Sequence, residues 1–135
     1  MNREEIKEIL PHREPMLLVD ESEFDGEYVN ASYTVKGDEF FLQGHFPENP
    51  VVPGVILCEI MAQCSVLLVA EQVKGHLTFY AGLDGVRFKK AVVPGDKVCV
   101  KSHLTAVHWP LFCVEAEARV DSKLCCKAKM EFMVR

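Results

Sequence analysis

The chain lacks a basic N-terminal segment followed by an apolar run, and it has no low-complexity tract and no block of like charge. Without the first feature there is no sign of a secretory signal, so we expect a cytoplasmic protein. Without linkers, we expect one domain over residues 1–135, which is long enough to bury a core. The net charge of −5 and the absence of interleaved basic and aromatic residues argue against a nucleic-acid partner.

The six cysteines form no C-x-x-C pair and fall on apolar helix or strand positions. A disulfide framework or a metal site needs clustered ligands at suitable spacing, and none is visible. We therefore expect buried, reduced thiols, no metal ion and no cofactor. Cys58 precedes an acidic residue, but neighbours on a helix point about a quarter turn or more apart, so it is expected to pack rather than to act as a nucleophile.

The C-terminal half shows the clearest secondary-structure pattern. Apolar and polar residues alternate over Lys97–Ala106, Cys113–Val120 and Leu124–Val134, which predicts three antiparallel strands with one apolar face. That face needs a cover, and the only long apolar element available is a helix over Pro53–Val73. The sequence thus predicts an α+β fold in which an antiparallel sheet wraps around one long central helix.

Earlier elements have weaker patterns. A short helix is expected over Arg3–Leu10, with strands at Met16–Asp20, about Tyr28–Val35 and Leu77–Phe88. Pro110 lies inside a strand region, so a bulge or a strand start is expected there.

The central helix is apolar on all sides. Pro53 suits a first helical position, and from Val55 to Ala70 the main polar exceptions are Glu59, Gln63 and Ser65. A membrane span is the competing interpretation, but the carboxylate a turn into the helix and the polar residues at its end leave too short a clean run. We expect a core helix enclosed by protein.

Glu59 needs a reason to lie in such a helix. Gln63 is four residues further on and shares its face, where an amide can orient a carboxyl group. Burial raises the pKa of a carboxyl, so Glu59 can serve as a proton donor near neutral pH. The alternative is a structural glutamate that pairs with an arginine or caps a loop.

A histidine lies in the loop before this helix. His45 is followed by Pro47, Pro50 and Pro53, which stiffen the loop and fix where the imidazole points, so it is a candidate base. Gly54 follows in the first helical turn, where its unpaired N–H can polarise a carbonyl oxygen and the missing side chain admits substrate. For the other histidines we expect structural roles: His12, His76, His103 and His108.

With these residues the chain resembles the FabZ-type beta-hydroxyacyl-acyl carrier protein dehydratases of type II fatty acid synthesis, which have the hotdog fold. The similarity covers most of the chain, and its long segment Gly44–Gln63 resembles the family's active-site motif. Further similar stretches are Leu10–Arg13 with Pro15–Asp20, Ala81–Asp84 with Val86–Lys89, and Val93–Asp96.

The resemblance implies a division of roles. His45 would take the proton next to the thioester carbonyl, the Gly54 N–H would steady the enolate-like oxygen, and Glu59 would protonate the departing beta-hydroxyl. Water then leaves and a trans-2-enoyl thioester remains. The carbonyl of Val51 would orient the histidine, and Gln63 would support the glutamate.

The resemblance also implies partners. The His and the Glu of one site would come from different subunits of a homodimer, and such dimers often form hexamers as trimers of dimers. Acyl carrier protein is acidic, so docking on this acidic chain requires a local basic patch. The candidates are Arg87, Lys89 and Lys90, with Lys97 and Lys101 as further choices, and solvated strand ends are the alternative reading of these residues.

The shape of an acyl tunnel sets chain-length preference, and Phe79 and Tyr80 are candidates for its gate, with aromatic core packing as the alternative. Two other functions stay open. The same base and acid can also isomerise trans-2 to cis-3-enoyl thioesters, although the related FabA-type branch typically has Asp where this chain has Glu59. The third reading is a hotdog protein that binds acyl thioesters without turnover, which the joint presence of His45, Gly54, Glu59 and Gln63 disfavours.

Overall fold

The computed structural model describes all 135 residues. The helices are α1 (Arg3–Lys7), α2 (Gly54–Val66) and α3 (Ala70–Val73), with 3₁₀ turns at Phe40–Leu42 and Leu67–Val69. The strands are β1 (Glu21–Phe24), β2 (Tyr28–Thr34), β3 (Thr78–Phe88), β4 (Lys97–His108), β5 (Leu111–Val120) and β6 (Lys123–Val134).

All six strands join one antiparallel sheet in the order β1-β2-β4-β5-β6-β3. Helix α2 packs against β2, β4, β5 and β6, so the sheet covers it from several sides. The α+β prediction of a sheet around a central helix is confirmed. β1 and β3 form the two edges, and the eleven-residue β3 is the longer of them.

The burial of side chains in β5 and β6 explains why alternating apolar and polar residues predicted these strands correctly. Alternate residues of β5 and β6 are buried from Phe112 to Phe132, and they form one apolar core with the residues of α2. The stretch Gly54–Val73 is long and apolar enough to cross a membrane, with mean hydropathy 1.8, yet 67% of it is buried inside the fold. Such burial is typical of a core helix.

The long helix is not continuous. Pro53 is its N-cap rather than its first helical residue, and the α-helix changes to a 3₁₀ turn after Val66. Val69 has φ −121° and ψ 35°, outside the helical region, before α3 completes the segment. One unbroken helix over Pro53–Val73 was therefore wrong in detail, although its position was right.

The strand expected at Met16–Asp20 is absent. Leu17, Leu18 and Val19 are buried, but side chains rather than a neighbouring strand satisfy the backbone around them. The guanidinium of Arg3 donates to the carbonyls of Leu17 and Val19 at 2.9 and 3.0 Å. A strand begins only at Glu21, and α1 ends at Lys7, earlier than expected.

Two further expectations concern β4 and β5. Pro110 lies in the turn of their hairpin, and β5 starts at the next residue, so the expected strand start is confirmed.

All cysteines are free thiols, but Cys99 is exposed, because it alternates with the buried Val98 and Val100 and so faces outward. Burial of all six thiols was therefore wrong.

Candidate active site

His45 lies in the loop between the first 3₁₀ turn and α2. Its Nδ1 is 2.9 Å from the carbonyl oxygen of Val51, the residue that the resemblance implies. A carbonyl only accepts hydrogen bonds, so Nδ1 carries the proton and Nε2 of the neutral ring keeps its lone pair. The ring of Phe46 lies at 4.3 Å between centroids and confines the imidazole. The half-buried His45 is thus held in the tautomer of a base.

The N-terminus of α2 adjoins a groove of about 680 Å³. Gly54 opens the helix there, and a Cβ on this residue would lie only 2.8 Å from the ring of Phe88. A larger residue at this position would require the Phe88 ring to move. The Gly54 N–H, at the first helical position, has no partner within the helix. The groove is lined by Val52, Pro53, Gly54, Val55, Leu57, Phe88, Lys89, Lys90 and Ala91.

Glu59 is held through one of its two carboxylate oxygens. Gln63 Nε2 donates to Oε1 at 2.9 Å, and Nε2 of His12 lies 3.6 Å from the same oxygen. Burial raises the pKa of Glu59, but the contacts from His12 and Gln63 outweigh burial and hold the pKa below its usual range. A raised pKa was expected from burial alone, and that expectation was wrong for the free protomer.

Gln63, which orients the Glu59 carboxylate, is itself held by buried hydrogen bonds. Its side chain is 1% exposed, its Oε1 accepts from the Leu18 N–H at 2.8 Å, and its Nε2 also donates to the Met16 carbonyl at 2.8 Å. One buried amide thereby joins the face of α2 that carries Glu59 to the segment that precedes β1.

The predicted base and acid are not in direct polar contact within the protomer. His45 bonds to Val51, while Glu59 contacts His12 and Gln63, and no hydrogen bond or ion pair links the two. The structure therefore brings Glu59 and Gln63 together, and places Gly54 beside Lys89 and Lys90 at the groove, and it shows no polar contact between the histidine and the acid.

The two aromatic gate candidates have different surroundings. The hydroxyl of Tyr80 donates to the Cys58 carbonyl at 2.7 Å, and its ring stacks on Phe132 at 5.3 Å. Phe79 is 47% exposed and lies 5.9 Å from the guanidinium carbon of Arg135. Burial also raises the pKa of Tyr80, so it stays a neutral donor. Tyr80 is anchored, and Phe79 is the freer ring.

Sequence reasoning missed two residues at the site. His12 was expected to be structural, yet it contacts Glu59, and Phe88, which packs on Gly54, was given no role. The available signal was that each lies inside a stretch that resembles a family motif, Leu10–Arg13 and Val86–Lys89. No group of three potential metal-ligating side chains is close enough together to hold a metal ion.

A comparison with family models matches residues 10–129 to the FabA-like domain. A "3-hydroxyacyl-[acyl-carrier-protein] dehydratase FabZ" of Listeria monocytogenes is 43% identical over 131 residues, which cover 94% of this chain and 91% of that protein. A protein of the same description from Clostridium perfringens is 44% identical over 137 residues and covers 99% of both.

Solved structures agree on the fold. The dehydratase heterocomplex ApeI:P from Xenorhabdus doucetiae matches with a TM-score of 0.83 at 20% identity, over 96% of this chain and 90% of that one. A mutant of the fluoroacetyl-CoA-specific thioesterase FlK matches with a TM-score of 0.69 at 18% identity, over 86% and 90%. At such identities the likeness concerns the fold alone.

Proposed function

Because this chain belongs to the FabA-like domain family, and within it resembles the FabZ dehydratases along nearly its whole length, we propose that it dehydrates 3-hydroxyacyl-acyl carrier protein. The product is the trans-2-enoyl thioester of fatty acid synthesis, and the enzyme is a hydro-lyase. We also propose that the protein is cytoplasmic.

The chemistry needs one base, one acid and one oxyanion donor. Nε2 of His45 takes the proton from the carbon next to the thioester carbonyl, whose oxygen is stabilised by the Gly54 N–H. The C–O bond at the beta carbon breaks, Glu59 gives its proton to the leaving hydroxyl, and water departs. The proton on His45 then returns through solvent to the Glu59 carboxylate, which restores the starting state.

Glu59 has to be protonated before this step. In the free protomer its contacts keep the carboxyl ionised near neutral pH. When substrate and the neighbouring subunit exclude water from the site, desolvation raises the pKa of the carboxyl and favours its protonated form.

The observation that carries the proposal is the contact between His45 Nδ1 and the Val51 carbonyl at 2.9 Å. It leaves the lone pair on Nε2, which a general base requires and a purely structural histidine does not.

The test replaces each group with a near-isosteric amide. We expect His45→Asn and Glu59→Gln each to lower turnover of a beta-hydroxydecanoyl-acyl carrier protein by about 100-fold or more, with folding retained. Product is followed by mass spectrometry, and His76→Asn, which alters an exposed histidine, serves as the control. Near-wild-type turnover in either site variant would contradict the assignment.

Sharing of sites between subunits is implied by the resemblance to the FabZ dehydratases, and His45 and Glu59 make no polar contact with each other within one protomer. β3 is an edge strand that carries the exposed side chains of Phe79 and Leu83, so its backbone and apolar surface are available to a second copy. We propose a homodimer in which each site takes His45 from one subunit and Glu59 from the other, with three dimers forming a hexamer.

The carrier protein is proposed to dock beside the groove at α2. Lys89 and Lys90 line that groove, and Arg87 is exposed on the same strand end. In this arrangement the three cations offset the acidic net charge locally, and the acyl arm enters past Phe88.

Charge reversal tests the docking surface. We expect Arg87→Glu with Lys89→Glu to raise KM for the carrier-protein substrate about tenfold or more, with little change in kcat, because encounter is steered by charge. The control is Lys123→Glu, which makes the same type of change at the β5–β6 turn. An unchanged KM in the double variant would remove this surface from consideration.

The two alternative functions are less well supported. The product analysis above separates them, since a cis-3 product would indicate isomerase activity and binding without turnover would indicate a non-catalytic protein. Among the gate candidates, Phe79 is retained as the proposed tunnel gate and Tyr80 as its anchored neighbour.

A further inference from the structure

His12 lies in the segment between α1 and β1, far in sequence from α2. Gln63 holds that segment against the helix through the Leu18 N–H and the Met16 carbonyl. The placement brings Nε2 of His12 to 3.6 Å from Oε1 of Glu59. The imidazole is therefore positioned by a built network rather than by a chance surface encounter.

Both contacts to the glutamate fall on the same oxygen. Gln63 Nε2 donates to Oε1 at 2.9 Å, and it also serves the Met16 carbonyl, so it has no further hydrogen to give. Oε2 of Glu59 has no hydrogen-bond partner in the protomer. One carboxylate oxygen is thus held by protein, and the other is left for the substrate.

The second nitrogen of His12 shows which tautomer this position favours. Nδ1 is buried and has no hydrogen-bond partner. A proton on Nδ1 would be a buried donor without an acceptor, which is costly, whereas a proton on Nε2 faces the Glu59 carboxylate. Of the two tautomers of the ring, the environment therefore favours the one with its proton on Nε2.

We propose that His12 is a positioning residue for the catalytic glutamate. Its Nε2–H, in polar contact with Oε1 at 3.6 Å, and the hydrogen-bonding Gln63 amide together restrain that oxygen, which orients the carboxyl group and leaves Oε2 for the departing beta-hydroxyl. His12 acts through Glu59 and touches no substrate. The inference rests on the proposed role of Glu59 as the acid, and it adds a residue whose only contact with the reaction is through that carboxyl.

The test compares two amides that differ by one methylene. Gln places its Nε2 near the position of the imidazole Nε2, whereas Asn is too short to reach Glu59. We expect His12→Gln to keep most of the turnover, and His12→Asn and His12→Ala to lower kcat by about 10- to 100-fold with KM within about twofold. If His12 were needed only for folding, the His12→Gln and His12→Asn variants would have similar kcat values.

A double-mutant cycle locates the effect. In a Glu59→Gln background, measured by single turnover at high enzyme concentration, adding His12→Ala is expected to cause little further loss. The control is His103→Ala, because His103 faces Glu115 at 3.8 Å on another part of the sheet and has the same pair chemistry. Thermal melting of every variant monitors folding, and the Gln and Asn pair decides the question if the Ala variant melts early.

The outcomes are distinct. Full kcat in His12→Asn, an equal loss in the Gln and Asn variants, or an undiminished loss in the Glu59→Gln background would each overturn the inference. Full activity of Glu59→Gln alone would overturn the proposed function. Because that result comes from a variant with His12 intact, it is distinguishable from failure of the inference about His12.

Discussion

Gln63 uses its whole side-chain amide at the site. The oxygen accepts one hydrogen bond, from the Leu18 N–H, and the nitrogen donates two, to the Met16 carbonyl and Glu59. Replacing a buried amide that makes three hydrogen bonds lowers the free energy of unfolding, because its former partners have little access to water as a substitute. The residue therefore links stability to catalysis.

We predict that Gln63→Leu lowers the free energy of unfolding by about 2 to 4 kcal/mol, because it leaves the buried Leu18 N–H and the partly buried Met16 carbonyl without partners. It should also lower kcat, since Glu59 loses its shortest contact. Denaturant unfolding and turnover of the same preparation measure both effects. The control is Ser65→Ala, which breaks the buried 2.8 Å contact with Ser102 away from Glu59. Equal kcat in the wild type and the Leu variant would contradict the prediction.

At the scale of elements, the connection from β2 to α2, which carries His45, is anchored near its beginning by Glu39. This carboxylate accepts hydrogen bonds from the Tyr33 hydroxyl at 2.6 Å, the Lys36 N–H at 2.9 Å and the Gly37 N–H at 2.8 Å. Burial raises the pKa of Glu39, but these three donors outweigh it and the pKa lies below its ordinary value of 4.5. A depressed pKa means that the ionised form stabilises the fold.

We predict that Glu39→Gln destabilises the protein by about 1 kcal/mol at neutral pH, a modest value because the group is partly exposed. The stabilisation is present above the unfolded pKa and is lost as the pH falls through the lower folded pKa. The difference in Tm between wild type and variant should therefore narrow below pH 4.5. Thermal melts over an acidic pH series measure it, with Asp38→Asn as the neighbouring control. A difference independent of pH would refute the assigned charge effect.

The elements that the sequence predicted well are those in which burial alternates regularly. β5 and β6 bury every second residue over long stretches, so period two indicated strands. Leu17–Val19 are equally apolar, but Arg3 and Gln63 side chains satisfy the backbone of this segment, and no local pattern separates such a loop from a short strand. The break at Val69 likewise has no local marker such as Pro or Gly.

Within the candidate site, contacts between residues close in sequence were predicted, and contacts between distant segments were not. The His45 contact with Val51 spans 6 positions and the Glu59 contact with Gln63 spans 4, so motif and helix spacing were sufficient to suggest both. The approach of His12 to Glu59 depends on how a distant loop docks on α2, for which Gln63 makes a contact across 47 positions. The lowered pKa of Glu59 depends on that contact too, and burial alone predicted the opposite direction.

At the scale of the whole molecule, activity is expected to depend on pairs of chains. We predict that co-expressed His45→Asn and Glu59→Gln subunits recover about a quarter of wild-type activity, because half of randomly formed dimers are mixed and each mixed dimer holds one intact site. Each variant purified alone is the control. No recovery in verified mixed dimers would show that each subunit builds its own site.

The proposed sharing of His45 and Glu59 between two subunits also has a consequence for mixtures of wild-type and altered chains. A subunit that carries both substitutions contributes a defective half to each of the two sites it shares, so its wild-type partner is silenced as well. Made in equal amounts with wild type, such a chain should leave about a quarter of the activity, whereas a single substitution should leave about half. The doubly substituted chain would thus be dominant-negative, because it inactivates both sites of any mixed dimer. Either singly substituted chain would lower activity only in proportion to its share of the chains.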